Sequence, residues 1–376
     1  MAEPVITFTP SEDMSLIRTT ARRFLEERMG LAMVRELMMS DDGFDRGLWK
    51  EIADLGWAGL TIPEELGGAG YGPLELSVVL EEMGRLVTPG PFFASVVLAT
   101  MAVITMGAPD QQADLLPGLA SGERLASLAC HEEPRDWGLA HLSTLAVRDG
   151  GDWLISGLKR HVLDGHLADT LLVVAAVGDE VGTFVVDAAA EGVSVNQVPV
   201  LDPTRRQAEV TFDNVRVGQH ALLGGAPDSG GISRVLSLAT AALAVEQVGG
   251  AQRCLEMSVE YARSRYQFGR PIGSYQAIKH RCAEMLMRVE HARSTAHHAV
   301  RSVDDPEELS VASPLAGSVA SETYLWAAGE TIQIHGGMGF TWEHDAHLYL
   351  KRAKSTSLLL GDPRYQRQLL GRALGL

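Results

Sequence analysis

Between residues 121 and 227 the chain carries six β-branched or alternating runs, LSTLAVRD, DWLISG, TLLVVAAV, GTFVVDA, GVSVNQVPV and AEVTFDNVRV, with no helix-length periodic segment among them. Such runs pack on a pleated surface and read as strands. Turn signals recur between them at short intervals, as DGGD, GDEVG and DPTRR, so the connections are too short for βαβ crossovers and favour an antiparallel meander or small barrel. A Rossmann domain is thereby disfavoured. Neither GxGxxG nor GxxxxGK[ST] occurs, which removes the usual grounds for a nicotinamide or P-loop nucleotide site.

On both sides of this block the period changes to that of helices. Before it, ITFTPSEDMSLIRTTARRFLEERM and LWKEIADLGWAGL place apolar residues at helical spacing, and LELSVVLEEMGRL follows a loop, PEELGGAGYGP, rich in glycine. After it, Asp228 and Ser229 are good caps for a long helical pattern from 231 to 264, and AIKHRCAEMLMRVEHARSTAHHAV and SETYLWAAGETIQIHGG continue in kind. The fold class is therefore α+β, mainly α. It divides into an N-terminal helical domain (1–120), a middle antiparallel β domain (121–227) and a C-terminal helical bundle (228–376). With 376 residues the chain has material for two to three domains and needs no staples.

The formal net charge of −16 has no Lys/Arg block to override it, which argues against nucleic acid and anionic membranes as partners. Cys130, Cys254 and Cys282 are an odd number without CxxC spacing, so neither a disulfide framework nor a structural zinc site is expected. The N-terminal MAEPVITFTPSEDM lacks a signal-peptide pattern, and no apolar run approaches the roughly 20 residues that span a bilayer. A cytoplasmic location without metal is the expectation.

Four segments carry more than periodicity. They are LGWAGLTIPEELGGAGYG near the N-terminus, FDNVRV at the end of the β block, RSRYQFGRPIGSYQAIKH (263–280) and QIHGGMGF (333–340). In this order and at these separations they resemble the acyl-CoA dehydrogenase family, and the resemblance spans essentially the whole chain. It implies a C-terminal four-helix domain and FAD chemistry on a CoA thioester: a carboxylate takes the α-proton, the β-hydrogen leaves as hydride to the flavin, and an electron-transfer flavoprotein or similar acceptor reoxidises it. Position by position, Arg265, Gln267, Phe268, Gln276, Gln333, Gly336 and Gly337 match FAD-contacting positions that in this family reach across a subunit interface. A planar, permanently charged Arg suits a diphosphate, and glycine lets backbone approach it.

The chain also departs from the family. The expected TEP...GSD stretch reads HEEPRDWG (131–138), with Glu132 in place of Thr and Arg135-Asp136-Trp137 where GSD should begin; the expected K-x-W-I-T-N run reads KRHVLDG (159–165). His131 and His161 read as ordinary polar residues. Neither usual position of the catalytic Glu holds one: alignment on QRQLL places Gly361 at the first, and the second, twenty-six residues before Arg265, is Ala239. Two candidates remain. Glu246 lies two helical turns, about 10 Å, beyond Ala239 in an apolar run, and is either a shifted base or a structural carboxylate tied to an Arg. Asp362 is either the base or a turn or cap residue before Pro363. The resemblance implies a homo- or hetero-tetramer, and intact trans-acting FAD positions beside an altered flavin stretch and a missing usual base point to the hetero-oligomer. In a heteromeric form, this chain completes a site built mainly by another subunit and serves a bulky, steroid-like acyl group, or it is a catalytically silent partner. The Met-rich AEMLMRVEH reads as core packing and the acidic VDDPEELS as a solvated loop.

Overall fold

A computed structural model of the chain describes residues 11–133, 137–139 and 141–376. Pro134, Arg135 and Asp136 of the altered flavin stretch, and the Thr9-Pro10 start of the first helical pattern, lie outside these residues. Helices come first: α1 (Glu12–Arg28), α2 (Leu31–Met39), α3 (Arg46–Asp54), α4 (Pro73–Arg85), α5 (Thr100–Met106) and α6 (Pro109–Ala120). Strands follow, β1 (Ala126–Ala129), β2 (Leu145–Asp149), β3 (Asp152–Leu163), β4 (Thr170–Val177), β5 (Glu180–Asp187), β6 (Val193–Val198) and β7 (Gln207–Val217). Helix α7 (Ser229–Ser264) leads into a hairpin of β8 (Tyr266–Gln267) and β9 (Arg270–Pro271). Helices α8 (Gln276–Arg301), α9 (Pro306–His335), α10 (Ala346–Leu359) and α11 (Pro363–Ala373) complete the chain. This is the mainly helical α+β architecture that the two periods imply.

Strand β3 pairs antiparallel with β2 and β7, β7 with β6, and β4 with β5. Uniformly antiparallel pairing does not hold at β4. Its second edge takes β1 in parallel over Thr170–Val173 and meets β2 in parallel at Ala176. The four residues of β1 alternate too little to be read as a strand, and they become one because β4 offers an open ladder. Strand β3 also runs beyond DWLISG to Leu163, through bulges between Ile155 and Gly157 and between Lys159 and Val162.

Asp228 caps α7 by accepting from the Gly231 N–H, as its residue type suggests. The acidic VDDPEELS is not simply a loop: Asp305 accepts from the N–H groups of Glu307 and Glu308, and Pro306 opens α9. The Met-rich segment is only partly core, because Met285 is fully buried while Met287 is 66% exposed.

Helices α4 and α7 cross with their backbones nearly touching. A Cβ placed on Gly84 would lie 2.0 Å from the Glu246 carbonyl oxygen, and one on Gly249 would lie 2.0 Å from that of Glu81. Only glycine permits this reciprocal approach. The crossing is flanked by charge, since Glu81 pairs with Arg18 and Arg293, Glu82 with Arg22, and Arg85 with Glu256.

One buried guanidinium ties the helical parts to the β part. Arg352, on α10 and nearly inaccessible, donates to Asp202 (2.8 Å) and Glu246 (3.0 Å), to the carbonyls of Val87 and Thr88, and to both the carbonyl and the hydroxyl of Thr204. The Val87, Thr88 and Thr204 oxygens share the two N–H groups of Nη2, while Nε and Nη1 hold the carboxylates, so a single side chain fastens elements far apart in sequence.

Candidate functional site

A cavity of about 930 Å³ opens between the sheet and the last two helices, a size suited to a large small-molecule ligand. Its sheet wall includes His131, Glu133, His161 and Gln207, and its helical wall includes Lys354, Asp362, Arg364 and Tyr365.

The sheet wall is built on a buried ion pair. Lys159 Nζ lies 2.6 Å from Glu132 Oε1 with the lysine fully buried, and the same carboxylate accepts from the backbone N–H groups of Ser143 and Thr144. Burial would raise the Glu132 pKa, but the Lys159 contact and the two N–H donors outweigh it and hold the carboxyl below its ordinary range. Burial pulls the Lys159 pKa down against the same partner. Glu132 is therefore committed inward, where the family pattern has a Thr. Just beyond Lys159, the second β3 bulge breaks the alternation of side chains. His161, at φ 54°, turns away from the buried Lys159 and lines the cavity, with Nδ1 2.9 Å from Gln207 Oε1. His131 and His161, unremarkable in sequence, thus share one wall.

At the opposite wall, Asp362 caps α11, its Oδ1 accepting from the Tyr365 N–H at 2.8 Å. The cap reading is correct for this residue, and the same side chain also lines the cavity. Gly361, at the first usual Glu position, has φ 106°, and a Cβ there would strike the Tyr365 ring at 2.3 Å. The Tyr365 ring lies 5.5 Å from that of Trp137, whose indole N–H donates to the Leu358 carbonyl at 2.9 Å.

Glu246 is elsewhere. Its Oε1 lies 2.5 Å from Arg205 and 3.0 Å from Arg352, it is 4% exposed, and it is absent from the cavity wall. Of its two readings, the structural carboxylate tied to arginine matches this placement; the shifted base does not, because both guanidinia compete for its lone pairs. Glu246 and Asp362 are not brought together.

The seven matched FAD positions are gathered on the surface at the far end of α7. Tyr275 O–H donates to the Gln267 carbonyl at 3.0 Å, fastening the β8–β9 hairpin to Gln276 at the start of α8. Tyr261 stacks on His335 with ring centroids 4.3 Å apart, which sets the end of α9, with Gln333, Gly336 and Gly337, beside the base of the hairpin. Phe268 is 93% exposed, at φ 52°. Among the described residues the Arg265 guanidinium has no partner. A Cβ on Gly336 or Gly337 would meet nothing of this chain within 4 Å. An unpaired fork beside open glycine backbone fits a diphosphate brought from outside the chain. Tyr266, Met338, Phe340 and Trp342 are exposed around it, an apolar surface of the kind that a second chain covers.

Comparison with known proteins decides the family. Residues 11–123 match the acyl-CoA dehydrogenase N-terminal domain, and residues 232–375 match the acyl-CoA dehydrogenase C-terminal domain. The chain belongs to the acyl-CoA dehydrogenase family. These are FAD-dependent oxidoreductases, as the four motifs imply. Acyl-CoA dehydrogenase IpdE2 of Mycobacterium tuberculosis is 36% identical over 357 residues, 95% of each chain. Among solved structures, the ChsE4-ChsE5 complex from Mycobacterium tuberculosis aligns with a TM-score of 0.91 and 29% identity, covering 98% of this chain and 99% of that one. A variant of the Tcur3481-Tcur3483 steroid ACAD aligns with a TM-score of 0.88 and 32% identity, covering 97% of this chain and 98% of that one. Among the described residues no helix is long and apolar enough to cross a membrane, and no cluster of potential ligands could hold a metal ion.

Proposed function

We propose that this chain is one subunit of a heteromeric acyl-CoA dehydrogenase acting on a CoA thioester with a bulky, steroid-type acyl group, and that it completes an FAD site on a second subunit. The observation that carries this reading is the asymmetry between its two FAD-related surfaces. The exposed set is chemically ready: Arg265 is unpaired among the described residues, and Gly336 and Gly337 are open. Around the chain's own cavity, Glu132 is spent on Lys159, Trp137 stands where the family pattern has GSD, and Gly361 takes the usual base position with the Tyr365 ring packed against it. The steroid-type substrate is supported by the heteromeric and steroid assignments of the similar solved structures.

Bound FAD supplies the hydride acceptor. The chain's own contribution is to hold the diphosphate with Arg265, to let Gly336 and Gly337 admit it, and to exclude water through the apolar surface around them. Asp362 is the candidate proton acceptor in the chain's own cavity, because its Oδ2 is left over from capping. The silent-partner reading is favoured by Glu246, which is locked between two arginines. An electron-transfer flavoprotein or a similar acceptor closes the cycle in either reading.

The deciding experiment is the visible spectrum, flavin-to-chain ratio and light-scattering mass of the chain alone and after co-expression with a second dehydrogenase subunit. The proposal expects little flavin alone and a yellow heterotetramer together. A yellow homotetramer with one flavin per chain would overturn it. Within the complex, loss of turnover in Asp362→Asn supports an active subunit, and full retention supports the silent one.

A further inference from the structure

The bulge in β3 presents one histidine ring to the cavity with a single side-chain partner. His161 Nδ1 is 2.9 Å from Gln207 Oε1, and a carboxamide oxygen only accepts, so Nδ1 carries the proton. In the neutral ring Nε2 is then an unprotonated acceptor. Among the described residues Nε2 has no hydrogen-bond partner, and the ring lines the 930 Å³ cavity. The backbone is held at φ 54°, in the left-handed region that histidine enters more readily than most side chains. The flanking ladder fixes it there through Lys159–Val210 and Val162–Ala208.

We propose that His161, oriented by Gln207, is a specificity-determining residue of the cavity and accepts a hydrogen bond from a ligand hydroxyl or imide N–H. The chemistry around it agrees. Lys354 and Arg364 line the same cavity without an ion-pair partner among the described residues, and Glu133 and Asp362 bring two carboxylates to it, so the cavity is polar enough for a hydrogen-bonding ligand. The imide of a flavin and a hydroxyl on a bulky acyl group present the same donor, and they are distinguished by the test. The inference rests on the cavity being a ligand site, but not on which subunit carries the reaction.

Binding is measured by titration calorimetry on the chain alone and in its complex, with two matched pairs of probes. One pair is FAD and its N3-methyl analogue, which lacks the imide N–H. The other is a steroid-acyl CoA thioester with a ring hydroxyl and its deoxy counterpart. The wild type is expected to prefer the donor-bearing member of one pair by roughly tenfold, the upper end of what one hydrogen bond contributes. His161→Phe keeps a ring and should abolish the preference while leaving the poorer probe's affinity unchanged. His161→Gln should restore most of it, and Gln207→Leu should weaken it by freeing the tautomer. Preference within the FAD pair names a flavin, and within the thioester pair a hydroxylated acyl group. An unchanged preference in His161→Phe overturns the role of His161 while leaving the proposed function intact. No binding of any probe to the wild type, alone or in the complex, overturns the cavity as a ligand site.

Discussion

Arg352 Nη1 lies 3.0 Å from Glu246 Oε1, and this contact makes the carboxylate in the apolar run of α7 a structural group. Removing either partner strands the other's charge in a dry junction, which typically costs about 3–5 kcal/mol. Arg352→Met should therefore lower unfolding free energy by roughly that amount in chemical denaturation. It should lose more than Arg28→Met, because the Arg28–Glu51 pair is largely exposed and such pairs contribute little.

The approach of α4 to α7 predicts a clean contrast between glycines. Gly84→Ala or Gly249→Ala must push apart two helices whose backbones would be 2.0 Å from the new methyl group. A loss of about 1–3 kcal/mol or more is expected. Gly371→Ala, in α11 with nothing within 4 Å, should instead gain up to about 1 kcal/mol from helix propensity. Thermal melts of the three variants check the opposite signs.

Asp164 predicts a pH dependence. Burial raises its carboxyl pKa from 3.8 to about 7, against the pull of Arg205, Arg352 and Arg206. In the unfolded chain this group loses its proton near its ordinary pKa of about 4, while the folded chain keeps it until about 7. The unfolded state therefore binds fewer protons across that window, and this group's contribution to stability falls as pH rises through it. Asp164→Asn keeps a side chain that tolerates φ 48° and removes the titration. The stability of the variant relative to the wild type should therefore rise from about pH 4 to about pH 7 and level off above it. A constant difference would show that Asp164 does not titrate there.

The exposed FAD set predicts loss of flavin without loss of fold. Because the Arg265 guanidinium has no partner within the described chain, Arg265→Ala should leave the melting temperature of the isolated chain unchanged. It should weaken flavin retention by the heteromeric complex about tenfold or more, as expected for a lost charge-assisted hydrogen bond to a diphosphate. Flavin release during gel filtration reads this out.

Asp362 can be probed without disturbing its cap. Asn caps helices as well as Asp does, so Asp362→Asn should retain stability within about 0.5 kcal/mol. Asp362→Ala should lose about 1 kcal/mol. Steady-state turnover of the complex then reports proton acceptance separately from folding.

The residues differ in how much of this was legible beforehand. Element types, the long α7 and the seven FAD positions follow from local pattern, because a helical face, a cap such as Asp228 and a motif such as QIHGGMGF are written in consecutive residues. The parallel partner of β1 was not legible, since ASLA alternates too little and its ladder comes from residues more than forty positions on. The pair Glu132–Lys159 was half visible, as one departure from a family pattern (Glu132 for Thr) and one match to it (Lys159), yet nothing in either stretch says that they meet. Consecutive residues were thus enough for the family, the order of helical and β parts and the surface proposed for a diphosphate. The fate of the polar groups had to wait for tertiary contacts. Glu246 became structural through Arg205 and Arg352, 41 and 106 residues away. Asp362 became at once a cap and a cavity wall, and a bulge turned His161 toward the cavity. The charge state and purpose of a side chain depend on its burial and its nearest partner, and both are set by contacts between segments distant along the chain.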